Sequence, residues 1–213
     1  MFRIALLLGL FSIIGIGLVT ITEHFTQRKI KSNEQAALRQ SIEAILPANS
    51  YNNSILTDTL QVTDPLLGTK DPVTIYRARQ DNRPIAVVLT SIAPDGYNGA
   101  IQLLIGIGYD GKLTGVRVMS HHETPGLGDK IEIGKSNWIL AFNDRSLHNP
   151  MLSNWKVKKD GGTFDQFTGA TITPRAIVSA IYNCLQYFKN HREFLFSQNE
   201  ENLNAIPYEL RSN

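Results

Sequence analysis

Cysteine is almost missing from this chain: Cys184 is the single one among 213 residues. An intrachain disulfide is therefore impossible, as are a CxxC redox pair and a cysteine zinc site, and one cysteine on a helix fits a small core residue better than a reactive thiol. Charge of one sign is also scarce. The formal net charge is +2, with no long basic block, which argues against nucleic acid as a partner. No GxGxxG motif leads from a strand into a helix, so a Rossmann-type nucleotide domain is not supported. No acid–base constellation of the kind hydride transfer needs stands out either, and no catalytic side chain is assigned.

One long apolar run is present. From Ile4 to Thr22 no residue is charged, and at about 1.5 Å rise per residue the segment crosses most of a bilayer, with Arg3 and Glu23 at its ends. It reads as an uncleaved transmembrane helix, because the run is long for a signal peptide and Thr20-Ile21-Thr22-Glu23 offers no small-x-small cleavage site. The charge bias sets Arg3 and the amino terminus against Arg28, Lys29 and Lys31, and taken alone would keep the following domain in the cytoplasm. Gln27 to Leu46 reads as a polar helix with Leu38, Ile42, Ile45 and Leu46 on one side, stopped by Pro47. The remaining length suits one sizeable core. The expected organisation is an anchor at 1–23, a helical stalk at 24–47, a folded domain at 48–196 and a polar, weakly patterned, mobile tail at 197–213.

Within the domain, Val73–Ala78, Ile85–Ser91, Ile101–Gly108 and Leu113–Met119 are β-branched runs separated by turn signals at Asp81-Asn82-Arg83-Pro84, Pro94-Asp95-Gly96 and Asp110-Gly111. Connections this short favour an antiparallel meander, since a parallel crossover needs about a dozen residues. Asn49–Lys70 is turn-rich, with an apolar segment near Ile55–Val62 that the pattern leaves unassigned. Ser136–Phe142 reads as a short helix carrying Trp138, and Trp155–Lys159 as extended chain leading to Asp160-Gly161-Gly162. The class is α+β: an antiparallel sheet with flanking helices, preceded by one N-terminal transmembrane helix.

Two stretches carry the chemistry. In Asp165-Gln166-Phe167-Thr168-Gly169-Ala170-Thr171, followed by Ile172-Thr173-Pro174, the Thr173 oxygen can cap a helix that opens on Pro174. Ile177, Val178, Ile181, Leu185 and Phe188 then recur on one helical face, so the helix packs on a core and holds its own N-terminus still. Free N–H groups and the positive dipole end there attract a phosphate, and Gly169 and Ala170 allow close approach. An ordinary glycine turn with stacked caps fits the same string. The second stretch runs from His121 through Glu123-Thr124-Pro125-Gly126-Leu127-Gly128 to Ile131, a polar loop directly after a strand. His121, His122 and Glu123 at consecutive positions point in divergent directions, which argues against a metal site. Lys156, Lys158 and Lys159 either face water or lie near a phosphate.

Asp165 to Thr171 resembles the Asp-x-x-Ser/Thr-Gly-Ala-Thr acceptor of the FMN-binding domain family, and Glu123 to Gly128 resembles the second signature of that family. The resemblance implies FMN held covalently through its phosphate on Thr171, with Asp165, Thr168, Gly169, Ala170 and Thr173 around the attachment point and Glu123, Thr124, Leu127 and Gly128 in the pocket. It also implies a separate flavin transferase of the ApbE type, using FAD, that acts on this chain. With the anchor, the stalk, Ala93–Tyr97, Gly99–Leu104 and Lys158–Gly162 added, nearly the whole chain resembles the G subunits of Rnf (Rsx) ion-translocating electron-transport complexes. That wider resemblance implies an electron relay on the periplasmic side of a bacterial inner membrane, among other membrane and iron–sulfur subunits, in a complex also implicated in keeping SoxR reduced. The C subunits of sodium-translocating NADH:quinone reductases share the acceptor chemistry but are expected to be longer. A membrane-anchored binding domain without covalent flavin is the remaining alternative.

Overall fold

The computed structural model describes residues 2–197. It divides into an N-terminal unit, Met1–Gln40, and a second unit from Ser41 onward. Helix α1 spans Phe2–Glu43, and its Phe2–Glu23 portion is long and apolar enough to cross a membrane. The side chains described there, Phe11, Ile13 and Val19 among them, are exposed, as suits a helix whose apolar surface faces lipid.

The second unit is built on a five-stranded antiparallel meander in the order β1 Thr59–Val62, β2 Val73–Gln80, β3 Arg83–Ala93, β4 Ile101–Gly108 and β5 Leu113–Ser120. Each turn signal in the sequence closes a hairpin. Asp81 and Asn82 have φ of 51° and 63°, the double left-handed conformation of a two-residue hairpin turn, which fixes Gln80 opposite Arg83. The unassigned segment after Asn49 contributes β1, whose pairing with β2 sets Leu60 opposite Ile75.

Alternation along the strands divides the sheet into two buried faces. Val87, Leu89, Leu103, Ile105 and Ile107 lie on one side with Ile177, Val178, Ile181, Cys184, Leu185 and Phe188 of helix α2, which spans Ile172–Phe196. Fully burying each such side chain contributes about 1.5–3 kcal/mol, so α2 is fixed along the sheet. Cys184 is part of this core, and burial pushes its thiol up to about 12. On the opposite face Ile42, Ile45 and Leu46 are buried; Gly115 makes room for Ile45, since a Cβ at Gly115 would collide with Ile45 Cγ2. Arg117 Nη2 donates to the Ala44 carbonyl at 2.9 Å over the same contact.

The C-terminal end of α2 is held by charge. Arg77 Nη1 and Arg79 Nη2 donate to the Ser197 carbonyl, and Nη1 and Nη2 of Arg79 both reach the Phe196 carbonyl at 3.3 Å. Asp58 bridges the two arginines from the end of the loop before β1, at 2.5 and 3.0 Å. Cations at the negative end of a helix dipole reinforce its last turn. Beyond Ser197, the expected tail lies outside the described residues.

Candidate functional site

The opposite end of α2 carries the candidate site. Packing of α2 against β3 and β4 makes its N-terminus a fixed point, and the preceding turn delivers the chain to it. The turn is Phe167–Ala170: Ala170 N–H donates to the Phe167 carbonyl at 3.1 Å, and Gly169, at the third position, has φ of 82°. Phe167 is buried, and it meets the Trp138 ring edge-on at 5.2 Å. Trp138 Nε1 donates to the Asp165 carbonyl at 2.7 Å, so one tryptophan anchors both the start and the middle of the acceptor stretch. Asp165 itself is exposed and pairs with Lys158 Nζ at 2.6 Å.

The helix opens at Ile172, with Thr171 at the N-cap, so the expected start on Thr173 and Pro174 falls too late. Thr173 is not a cap. It is fully buried, and its hydroxyl donates to Glu123 Oε2 in a short hydrogen bond. Pro174, already inside the first turn, has no N–H, so helix geometry leaves the N–H groups of Ile172 and Thr173 without intrahelical acceptors. Thr171 is half-buried and its side chain makes no capping hydrogen bond. Of the three threonines, Thr168 is exposed on the turn, Thr173 is sequestered, and Thr171, half-buried, stands at the helix end without a capping bond.

The second stretch lies alongside. Thr124 O accepts from Leu127 N–H and Gly128 N–H at 3.1 and 3.0 Å, closing a turn with Gly126 at φ of 78°. That turn exposes Leu127, 43% accessible, and a Cβ on Gly169 would be 3.7 Å from Leu127 Cδ2. Leu127 therefore covers the acceptor turn, while Ile172, 46% accessible, adds a second exposed aliphatic group beside Thr171. Glu123 points inward at 5% accessibility; Oε1 accepts from Asn98 N–H at 3.1 Å, and Oε2 accepts from Thr173. Gly128 packs on this pair so tightly that a Cβ would meet Glu123 Oε2 at 2.8 Å and Thr173 Oγ1 at 3.2 Å. Glu123 N–H donates to His121 Nδ1 at 3.0 Å, which leaves His121 Nε2 to donate to Glu132 at 2.8 Å. Both ring nitrogens are engaged within the protein.

All the sequence-predicted residues thus converge on one end of α2, in different roles. Thr171, Gly169, Ala170, Leu127 and Gly128 surround the helix N-terminus; Thr168 and Asp165 lie on the exposed side of the turn; Glu123 and Thr173 face inward on each other; Thr124 Oγ1 accepts from Asn98 Nδ2 at 3.2 Å. Lys156, Lys158 and Lys159 are exposed, and Arg175 pairs bidentately with Asp160 at 2.6 Å. Asn98, Gly96 and Trp138 were not foreseen as site residues. The turn signal at Pro94-Asp95-Gly96 marks Gly96 only as part of a turn, and nothing in the sequence says that Asn98 N–H meets a carboxylate.

The geometry fits a group with a phosphate and an apolar ring. Unpaired helix N–H groups and a positive dipole end suit the phosphate. Leu127 and Ile172 offer apolar surface beside it, and Asp129 Oδ1, buried next to Gly128, has no hydrogen-bond partner and is an acceptor left over for a donor.

Comparison with known proteins agrees with this reading. Residues 96–186 match the FMN-binding domain family, and residues 1–45 match the RnfG N-terminal region. The chain is 48% identical over 201 residues to the G subunit of the ion-translocating oxidoreductase complex of Pseudomonas aeruginosa, covering 94% of each chain. It is 46% identical over 197 residues to the protein of the same name from Pseudoalteromonas atlantica, 92% of each chain, and 44% over 193 residues to that of Vibrio cholerae, 91% of this chain and 92% of the relative. With two matched regions and relatives of this identity running nearly end to end, the chain belongs to the family of G subunits of ion-translocating oxidoreductase complexes and carries an FMN-binding domain.

Proposed function

We propose that this chain is the flavoprotein subunit of a membrane-bound Rnf-type complex, relaying electrons through FMN joined by a phosphoester to Thr171. The observation that carries the attachment site is the contrast among neighbouring threonines: Thr173 donates its hydroxyl to Glu123 inside the core, whereas Thr171 makes no capping bond at the N-terminus of α2. In the attachment step the Thr171 Oγ–phosphorus bond forms, the pyrophosphate P–O bond of FAD breaks, AMP leaves and the hydroxyl proton passes to the transferase. A threonine hydroxyl without an activating base is a weak nucleophile, so an ApbE-type transferase supplies the catalysis.

The residues of this chain bind and orient. The N–H groups of Ile172 and Thr173 and the α2 dipole stabilise phosphate charge, and Leu127 and Ile172 offer apolar contact to the ring system. Bound FMN supplies one-electron redox chemistry, and the chain's contribution is position and local electrostatics. Turnover belongs to the whole complex, of the translocase class, with other membrane and iron–sulfur subunits as donor and acceptor. We further propose an anchor at 1–23 and stalk at 24–47 holding the 48–196 domain in the periplasm, and a part in keeping SoxR reduced.

The test is co-expression with and without a flavin transferase, reading covalent flavin by fluorescence on a denaturing gel. Transferase-dependent fluorescence in the wild type, absent in Thr171→Ala, supports the proposal. Fluorescence retained in Thr171→Ala moves the attachment elsewhere, and none in the wild type removes the covalent relay altogether. A C-terminal alkaline phosphatase fusion that stays inactive, its disulfides unformed in the reducing cytoplasm, overturns the periplasmic placement.

A further inference from the structure

We infer that Glu123 is a positioning residue: its buried carboxylate ties the Gly96–Asn98 turn to the first turn of α2, and so fixes Thr171 for flavin attachment. The inference rests on the proposed role of Thr171 as acceptor. Glu123 belongs to the loop signature, yet both of its oxygens are spent inside the protein, one on Asn98 N–H and one on the Thr173 hydroxyl. It is held from every side. Its own N–H donates to His121 Nδ1. A Cβ at Gly96 would come within 2.9 Å of Oε1, and a Cβ at Gly128 within 2.8 Å of Oε2, so both glycines are shaped to the carboxylate. A negative group beside the first turn of a helix is also favoured by the dipole.

Thr171 stands two residues before Thr173 on the same turn. Release of Thr173 therefore frees the acceptor. The geometry separates position from charge, because glutamine keeps both ties: its oxygen accepts from Asn98 N–H and its amide donates to Thr173 Oγ1, which has lone pairs to spare. Alanine at Glu123 removes both ties. Valine at Thr173 removes the hydroxyl and leaves Oε2 buried without a donor, which destabilises the turn.

The experiment uses the full-length protein in detergent. Initial rates of covalent flavin incorporation are measured with transferase and FAD for the wild type, Glu123→Gln, Glu123→Ala and Thr173→Val, and amide hydrogen exchange is measured on each protein without transferase. Misplacing an acceptor by about 1 Å costs about 10²-fold in rate. Glu123→Ala and Thr173→Val are expected to lose on that order, with faster exchange confined to residues 96–99 and 171–176, while Glu123→Gln keeps near-wild-type rate and protection. Glu123→Ala loading at the wild-type rate with unchanged exchange overturns the inference. Glu123→Gln loading as slowly as Glu123→Ala also overturns it, since the carboxylate would then act by charge or direct contact. Should Glu123→Ala lose protection across the whole sheet, Thr173→Val and Glu123→Gln carry the decision. A wild type that takes up no flavin refutes the acceptor proposal, and exchange then decides the clamp alone: a local rise supports it and no rise overturns it.

Discussion

Gly128 offers a sharp test of how tightly the site is built. A Cβ added there would lie 2.8 Å from Glu123 Oε2, 2.9 Å from Glu123 Cβ and 3.2 Å from Thr173 Oγ1, whereas relaxed contacts to carbon fall at about 3.5–4.0 Å. Neither neighbour can swing away freely, because each is the other's hydrogen-bond partner and Glu123 is also bonded to Asn98. Overpacking costs about 1–3 kcal/mol, and stretching a hydrogen bond to a charged group adds to it, while the lower entropy of an unfolded alanine offsets about 0.4–1 kcal/mol. Gly128→Ala should therefore destabilise the domain by about 2 kcal/mol, which lowers Tm by about 4–8 °C at this size. The melt is best followed through Trp138 and Trp155, which belong to the core and its margin, since far-ultraviolet signal from α1 would persist. Gly134→Ala is the control: no atom lies within 4 Å of its Cβ position, and it should melt at or slightly above the wild-type temperature. A Gly128→Ala protein melting with the control would refute the close packing around Glu123.

Thr168→Ala should retain full covalent flavin, because that side chain sits on the exposed face of the turn rather than at the helix end, and gel fluorescence checks it. Asp58→Ala should cost about 3 kcal/mol by denaturant titration, since it strips the carboxylate from Arg77 and from the buried Arg79. Cys184 should resist thiol reagents until the domain unfolds, as it is fully buried with a thiol pushed up to about 12; labelling at a rate independent of denaturant would contradict the α2 packing. The Arg175 guanidinium holds the Asp160 carboxyl below its ordinary 3.8. A depressed carboxylate stabilises the fold above the unfolded value and loses that contribution as pH falls through the folded one. The small Tm gap between wild type and Arg175→Ala should thus be present at neutral pH and close in acid below about 3.8; a gap that widens in acid would refute the pairing.

The sheet was legible because its signals are local. Ile101–Gly108 reads as a strand with the same limits in sequence and structure, and the Asp81-Asn82 turn announces its own hairpin. The strand Thr59–Val62 was not, because it is short and gains its definition only by pairing with Val73–Tyr76. At the site, the acceptor helix is legible from its apolar face and its preceding glycine, but Thr173 reads as a cap in the sequence and is none in the structure. Threonine before proline carries the same local signature whether its hydroxyl turns back to the helix or away to a carboxylate fifty positions earlier, and Glu123 is such a partner. The division of the Glu123–Gly128 signature into an exposed leucine and an inward carboxylate likewise depends on tertiary contacts that spacing does not encode.

The most direct measurement of the central claim is the intact mass of this chain, isolated after expression with and without a flavin transferase, followed by fragmentation. The account predicts a transferase-dependent gain of one FMN less water, carried by a fragment ion series that breaks at Thr171. An unmodified mass in both preparations, or a modified fragment that excludes Thr171, would contradict it.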